Sequence, residues 1–152
     1  AESGAAISYN PVASSWKGNA VAPALLLHEL GVRMGLGTDG TRSDAFRLLD
    51  AAETAQRLTT GVASGDSSSG GGWTWLEKGL RGGADAVGLA GRVGEIAPGA
   101  HADLLVVDFD PLTDITPLAD PDNVTAIVQG GAVVKDSAGW FGDEPSRPLL
   151  AG

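Results

Sequence analysis

The chain has 152 residues, 43% of them hydrophobic but only 5% aromatic, and a formal net charge of -9 at neutral pH. That length suffices for one domain with a real core, which must be built from aliphatic and alanine side chains. The acidic balance argues against nucleic acid or an anionic membrane as partner, and the lack of cysteine excludes disulfides and thiolate metal sites. No apolar run reaches membrane-spanning length and no signal peptide is visible, so a cytoplasmic location is the expectation. The chain opens with Ala1-Glu2-Ser3-Gly4, and Met34 is the only methionine. A start so close to a strand-like segment leads us to expect that an N-terminal portion lies elsewhere.

Ala5 to Tyr9 is short and apolar and reads as a buried strand, stopped by Asn10-Pro11. Pro11 to Ala22 reads as a polar connection with one exposed aromatic, Trp16. Pro23 opens a helix whose buried face is Leu25, Leu26, Leu27 and Leu30, and Gly31 stands where a helix terminus favours positive φ. Val32 to Thr38 is a second strand. Strand, helix and strand follow one another at the length of a right-handed parallel crossover.

The spacing of Ala45, Leu48, Leu49, Ala52, Ala55 and Leu58 predicts a helix, with Ser43 as its N-cap and Asp44 in its first turn. Thr59 to Gly72 is a flexible low-complexity loop. Its three glycines lack the Lys-Ser/Thr of a phosphate loop. Trp73 to Leu89 forms another helix, broken near Gly82-Gly83. Beyond Arg92 come turns and short strands: 102–108, then Val124 to Val128 and Ala132 to Lys135 around a Gly130-Gly131 hairpin turn. The tail from Asp136 reads as exposed coil, although Trp140 and Phe141 have the character to dock.

Asp39 is the residue of chemical interest. A carboxylate at the C-terminal mouth of a buried strand, ahead of a strand-to-helix turn, is where α/β proteins place chemistry. Asp-Gly is also among the commonest turn dipeptides, so the local sequence leaves both readings open.

Four segments in order shift that balance. SYNPVASSWKGNAVAP, LGVRMGLGTDGTRSD, GGADAVGLAGRVGEIAPGAHADLLVVD and VTAIVQGGAVVKD resemble the C-terminal part of a metal-dependent amidohydrolase of the aminohydrolase, heterocycle deaminase and chlorohydrolase type. The resemblance covers about residues 4 to 136. It implies an α/β chain holding the last two βα units of a TIM-like (β/α)8 barrel (residues 1–91). Strands of a composite β-sandwich (92–136) and a tail (137–152) would follow.

The resemblance also implies function. Asp39 would bind one divalent metal, zinc in the first place and iron as the alternative, and would collect a proton from the metal-bound water. The reaction expected is hydrolysis of a C–N bond, a deamination, in a cyclic amidine or nucleobase-like heterocycle. Asn10 would orient the substrate or simply form a turn before Pro11; Trp16 would stack on a planar substrate or cover the barrel mouth. Tyr9 stands where the family usually carries His, and Ala13-Ser14 replaces Ser-Asn, both on the substrate side.

A hydrolytic metal site needs about three protein ligands, and this chain has two histidines. His28, on a helix, and His101, in a turn, both read as structural. The remaining ligands are therefore expected outside this chain, on the missing N-terminal portion, which would be its main partner besides a small-molecule substrate. The complete enzyme is expected to be a homo-oligomer. The competing expectation is a non-catalytic binding or scaffold fragment that keeps the fold without the metal ligands, and a generic α/β domain in which Asp39 only turns the chain is a third.

Overall fold

A computed structural model describes residues 3–40, 43–66 and 71–142. Strands β1 (Ala6–Tyr9) and β2 (Arg33–Leu36) pair in parallel, with Ala6 opposite Arg33 and Tyr9 opposite Leu36. The connection between them is more helical than its composition predicts. Helix α1 (Pro11–Trp16) starts directly after Asn10 because Pro11, at its first position, has φ preset and no N–H to satisfy. It buries Pro11 and Ala13, and it packs on a later helix.

Helix α2 (Ala24–Glu29) buries Ala24 and Leu25. Leu26 and Leu30, expected in its buried face, are 52% and 61% exposed. A six-residue helix has room for one narrow contact stripe, and these two leucines lie off it. Gly31 takes φ +70°, as its place after the helix requires. The strand expected over residues 5–9 is also less buried than its sequence suggests: only Tyr9 is fully enclosed.

Helix α3 (Ala45–Gln56) is capped by Asp44, not Ser43. The Asp44 carboxylate accepts the N–H groups of Phe46 and Arg47 at 3.0 and 3.1 Å, which satisfies two of the donors a helix start leaves open. Leu48, Leu49, Ala52, Ala55 and Gln56 form its buried face. A π-helical segment (Arg57–Gly61) and the single turn α4 (Val62–Ser64) continue it where a loop was expected. The wider π turn shifts the helical phase, and Leu58, predicted on the buried stripe, is 67% exposed. Part of the expected low-complexity loop, residues 67–70, lies outside the described residues.

Helices α5 (Gly72–Gly79) and α6 (Arg81–Ala86) cover β2. The break falls at Leu80, not at the Gly82-Gly83 pair. Gly82, together with Gly35 of the strand, serves a different purpose. A Cβ on Gly82 would lie 2.6 Å from the Met34 carbonyl oxygen, and one on Gly35 would lie 2.8 Å from the Gly83 Cα. Helix and strand therefore meet backbone to backbone, which only glycine permits.

The start of β2 is tied down by Arg33. Its guanidinium donates to both Asp85 carboxylate oxygens, at 2.8 and 3.2 Å, to the Gly4 carbonyl at 3.0 Å and to the Asp85 carbonyl.

Strands β3 (Leu104–Val107), β4 (Val124–Gln129) and β5 (Ala132–Asp136) form a separate antiparallel sheet in that order. Gly130 and Gly131, at φ +56° and +83°, make the expected two-residue turn. Two 3₁₀ turns, Thr116–Ala119 and Pro121–Asn123, lead into β4. One core joins both sheets: Tyr9, Ala24, Met34, Leu49, Ala52, Trp75, Ile115, Leu118 and Val124 form one buried cluster. Burying a side chain such as Met34 fully contributes about 1.5–3 kcal/mol. Beyond β5, the Asp136 carboxylate accepts the Trp140 and Phe141 N–H groups at 3.0 and 2.9 Å, while both rings remain exposed.

Candidate active-site mouth

The C-terminal ends of β1 and β2 carry the residues of interest, and each is placed by local chain geometry. After Leu36 the Gly37 N–H donates to the Tyr9 carbonyl at 2.9 Å, extending the parallel pairing by one step. Gly37 leaves room here for two side chains: a Cβ would fall 2.2 Å from Ser8 Oγ and 2.3 Å from Asn10 Oδ1. The Ser8 hydroxyl donates to Asn10 Oδ1 at 2.8 Å across that gap. Asn10 is half-buried, its oxygen turned to Ser8.

Two residues on, Asp39 is the one non-glycine among the described residues with positive φ, +50°. Asp tolerates that region better than most side chains, and residues so held gather at functional sites. Its Oδ2 lies 2.5 Å from Lys17 Nζ, and both side chains are about half exposed. Lys17 follows α1 directly, and its N–H donates to the Ala13 carbonyl. Trp16, beside it, is 61% exposed. The structure thus brings Asp39 and Lys17 into contact, seats Asn10 over Gly37, and leaves Trp16 on the surface of the first βα connection.

Tyr9 does not face outward as its position in the resemblance implies. It is 3% exposed, its ring lies 5.6 Å from that of Trp75, and its hydroxyl accepts from Gln56 Nε2 at 2.9 Å. A phenol matched to an aromatic neighbour and an amide donor is better placed inside than in water. Burial pushes its pKa up, and the Gln56 hydrogen bond opposes that shift.

Sequence reasoning missed Lys17 and Gln56. Lys17 carries no local signal, since its partner is 22 residues away. Gln56 had one: it continues the stripe of Leu49 and Ala52 at helical spacing, a glutamine where an apolar side chain would be expected.

His28 borders a shallow recess at the Arg33 end of β2, with Glu77, Lys78 and Asp85. His101 is exposed, and its N–H donates to the Arg92 carbonyl at 2.8 Å. A more apolar open recess, lined by Val21, Pro23, Leu26, Thr59, Thr60, Ala63 and Ser64, has no titratable group and does not include Asp39. Among the described residues no three His, Asp or Glu side chains gather as a metal would require. These residues alone do not fit a metal centre, and Asp39 already holds a cation, the Lys17 ammonium. No helix among them is long and apolar enough to cross a membrane.

Residues 4–134 match the amidohydrolase family. The chain belongs to that family. It is 32% identical over 146 residues to a 5-methylthioadenosine/S-adenosylhomocysteine deaminase of Syntrophobacter fumaroxidans, covering 89% of this chain and 33% of that protein. A deaminase of the same name from Halobacterium salinarum is 37% identical over 124 residues, covering 79% and 27%. Among solved structures, an adenosine deaminase from Xanthomonas campestris with bound zinc superimposes with a TM-score of 0.72 at 23% identity, over 87% of this chain and 32% of that one. That likeness supports the α/β fold of a TIM-barrel family. The chain spans about a third or less of the length of these relatives.

Proposed function

We propose that this amidohydrolase chain supplies the Asp39 side of an active site that hydrolyses a C–N bond in a nucleobase-like heterocycle. An adenosine-type purine is the first choice. The observation that carries this reading is Asp39, an accessible carboxylate fixed at the C-terminal mouth of parallel strands, where such folds place their chemistry. In the reaction, water adds to the ring carbon that bears the amino group. Asp39 takes a proton from that water and returns one to the departing nitrogen, which leaves as ammonia. Asn10 orients the ring through its side-chain amide, and Trp16 offers a flat apolar face to it.

In this proposal β1 and β2, with their helices, are the last two βα units of the barrel. Residues 92–136 contribute to a second, sandwich-like domain, and 137–152 form a tail. A divalent metal, zinc before iron, belongs to the complete enzyme, with Asp39 as this chain's contribution and the other ligands on polypeptide beyond these residues. The assembled enzyme works in the cytoplasm as a homo-oligomer.

One observation favours the non-catalytic alternative: the Lys17 ammonium neutralises the carboxylate on which the enzyme reading depends. Turnover of 5-methylthioadenosine by the assembled enzyme separates the two. Asp39→Asn, which keeps shape and removes the proton acceptor, should lower kcat by about 10²–10⁴-fold while circular dichroism and the unfolding midpoint stay near wild type. Undiminished turnover would remove Asp39 from the mechanism.

A further inference from the structure

We infer that Gln56 is a positioning residue for the Asp39 site: a buried amide on α3 that locks the first βα connection against the second. This rests on the hydrolytic reading of Asp39. Gln56 is the one polar side chain among the buried residues and is 0% exposed. It sits at the end of α3, where the helix widens into the π segment, an irregularity that recurs near functional sites.

Its three hydrogen bonds all reach into residues 9–25. Nε2 donates to the Tyr9 hydroxyl at 2.9 Å and to the Ala22 carbonyl at 2.8 Å, and Oε1 accepts the Leu25 N–H at 3.2 Å. Every one of these partners flanks the segment that carries Asn10, Trp16 and Lys17. Tyr9 in turn accepts the Gly37 N–H through its carbonyl, two residues before Asp39. A path of direct contacts therefore runs from Gln56 through Tyr9 and Gly37 to the backbone that aims Asp39.

Helix α3 supports this role by its place. It packs on α1, on α5 and on the 3₁₀ turn Thr116–Ala119, and it shares the core with Tyr9 and Met34 of the strands, so it forms a wall along the first βα connection. Packing alone would leave that wall free to slide, because apolar contacts are not directional. A fully satisfied buried amide is directional and selects one arrangement. A second polar link between the two connections, Lys17 to Asp39, is half exposed and too solvated to set a register by itself.

The test uses the assembled enzyme with 5-methylthioadenosine as substrate and amide hydrogen exchange as a readout independent of turnover. Gln56→Met keeps the length and removes all three hydrogen bonds. It should lower kcat by about tenfold or more, since small misplacements of a reacting group are costly, with KM within about threefold. The amides of Gly37 to Gly40 should exchange at least about tenfold faster. Val128→Ala, a cavity in the second sheet outside the cluster that holds Tyr9, serves as a destabilised control and should leave both readouts near wild type. Tyr9→Phe, which removes one hydrogen bond and keeps the ring, should show the same pattern more weakly and decides the matter if Gln56→Met does not fold. If the Gln56 and Tyr9 variants behave like Val128→Ala, the inference is wrong. If wild type shows no turnover of 5-methylthioadenosine, the hydrolytic reading fails for that substrate, and faster exchange confined to 37–40 still decides whether Gln56 sets this loop.

Discussion

At Gly37 the absence of a side chain makes room for two others. Ser8 and Asn10 cross the space its Cβ would fill, at 2.2 and 2.3 Å, so Gly37→Ala forces one of them aside or pushes the strands apart. Both atoms end short side chains and Ser8 is exposed, so they can turn away and the cost stays at the low end of overpacking, about 1 kcal/mol, readable as a slightly lower denaturant midpoint at unchanged slope. Ser8→Ala in the same background should recover part of the loss, because it removes the nearer atom. A simple sum of the two single effects would show that the sites are not coupled. Lys17 is a contrasting case. Its ion pair with Asp39 is short but half exposed, and such pairs are worth at most about 1 kcal/mol. Lys17→Met should therefore leave stability within about 1 kcal/mol, and a larger loss would mean that the pair is shielded from solvent.

Helices α5 and α6 rest on β2 through glycine, and that contact tests how the elements fit. Gly82→Ala places a methyl 2.6 Å from the backbone oxygen of Met34, an atom that cannot swing away as a side chain would. The helix must lift, at a cost of about 1–3 kcal/mol, and the signal to follow is the fluorescence of Trp75, wholly buried on the adjoining helix α5. Unchanged emission and stability would mean that the helix yields freely. Much of this architecture was legible in sequence. The parallel pair, the long helix and the glycine hairpin all follow from apolar periodicity and turn residues. The function of Gly82 was not legible, because a glycine that breaks a helix and one that lets it approach a strand look alike in one dimension. For the same reason the stripe that predicted α3 placed Leu58 inside: periodicity assumes a constant pitch, and the π turn changes it. At the site, Asp39 was visible from its place after a strand. Lys17 and Gln56 act through partners 22 to 47 residues away, which no local pattern encodes.

At the scale of the whole molecule, charge and exposed apolar surface set the behaviour. Arg33 holds the Asp85 carboxyl below the usual carboxylate range, and backbone N–H groups do the same for Asp110, Asp114 and Asp136. Because these groups release their protons more readily folded than unfolded, the stability they contribute is complete above the ordinary carboxylate pKa. It is lost as pH falls through their depressed values. Acid titration of the folding midpoint should show this, with a shallower acid limb in Asp85→Asn; an identical limb would discount that pair.

The apolar surface leads to the last expectation. β1 pairs with β2 along one side, and among the described residues no strand covers its other edge. Leu26, Leu30, Leu105 and Val134 stand 49–61% exposed. Unpaired edges and solvated leucines are what an isolated piece of a larger sheet presents, and both favour association. Purified residues 1–152 should therefore bind a hydrophobic dye and sediment above monomer mass, and the dye signal should fall when the remainder of the enzyme is co-expressed. A dye-silent monomer would show instead that these edges are tolerated in water, and would count against the proposal that this chain works as one part of a barrel.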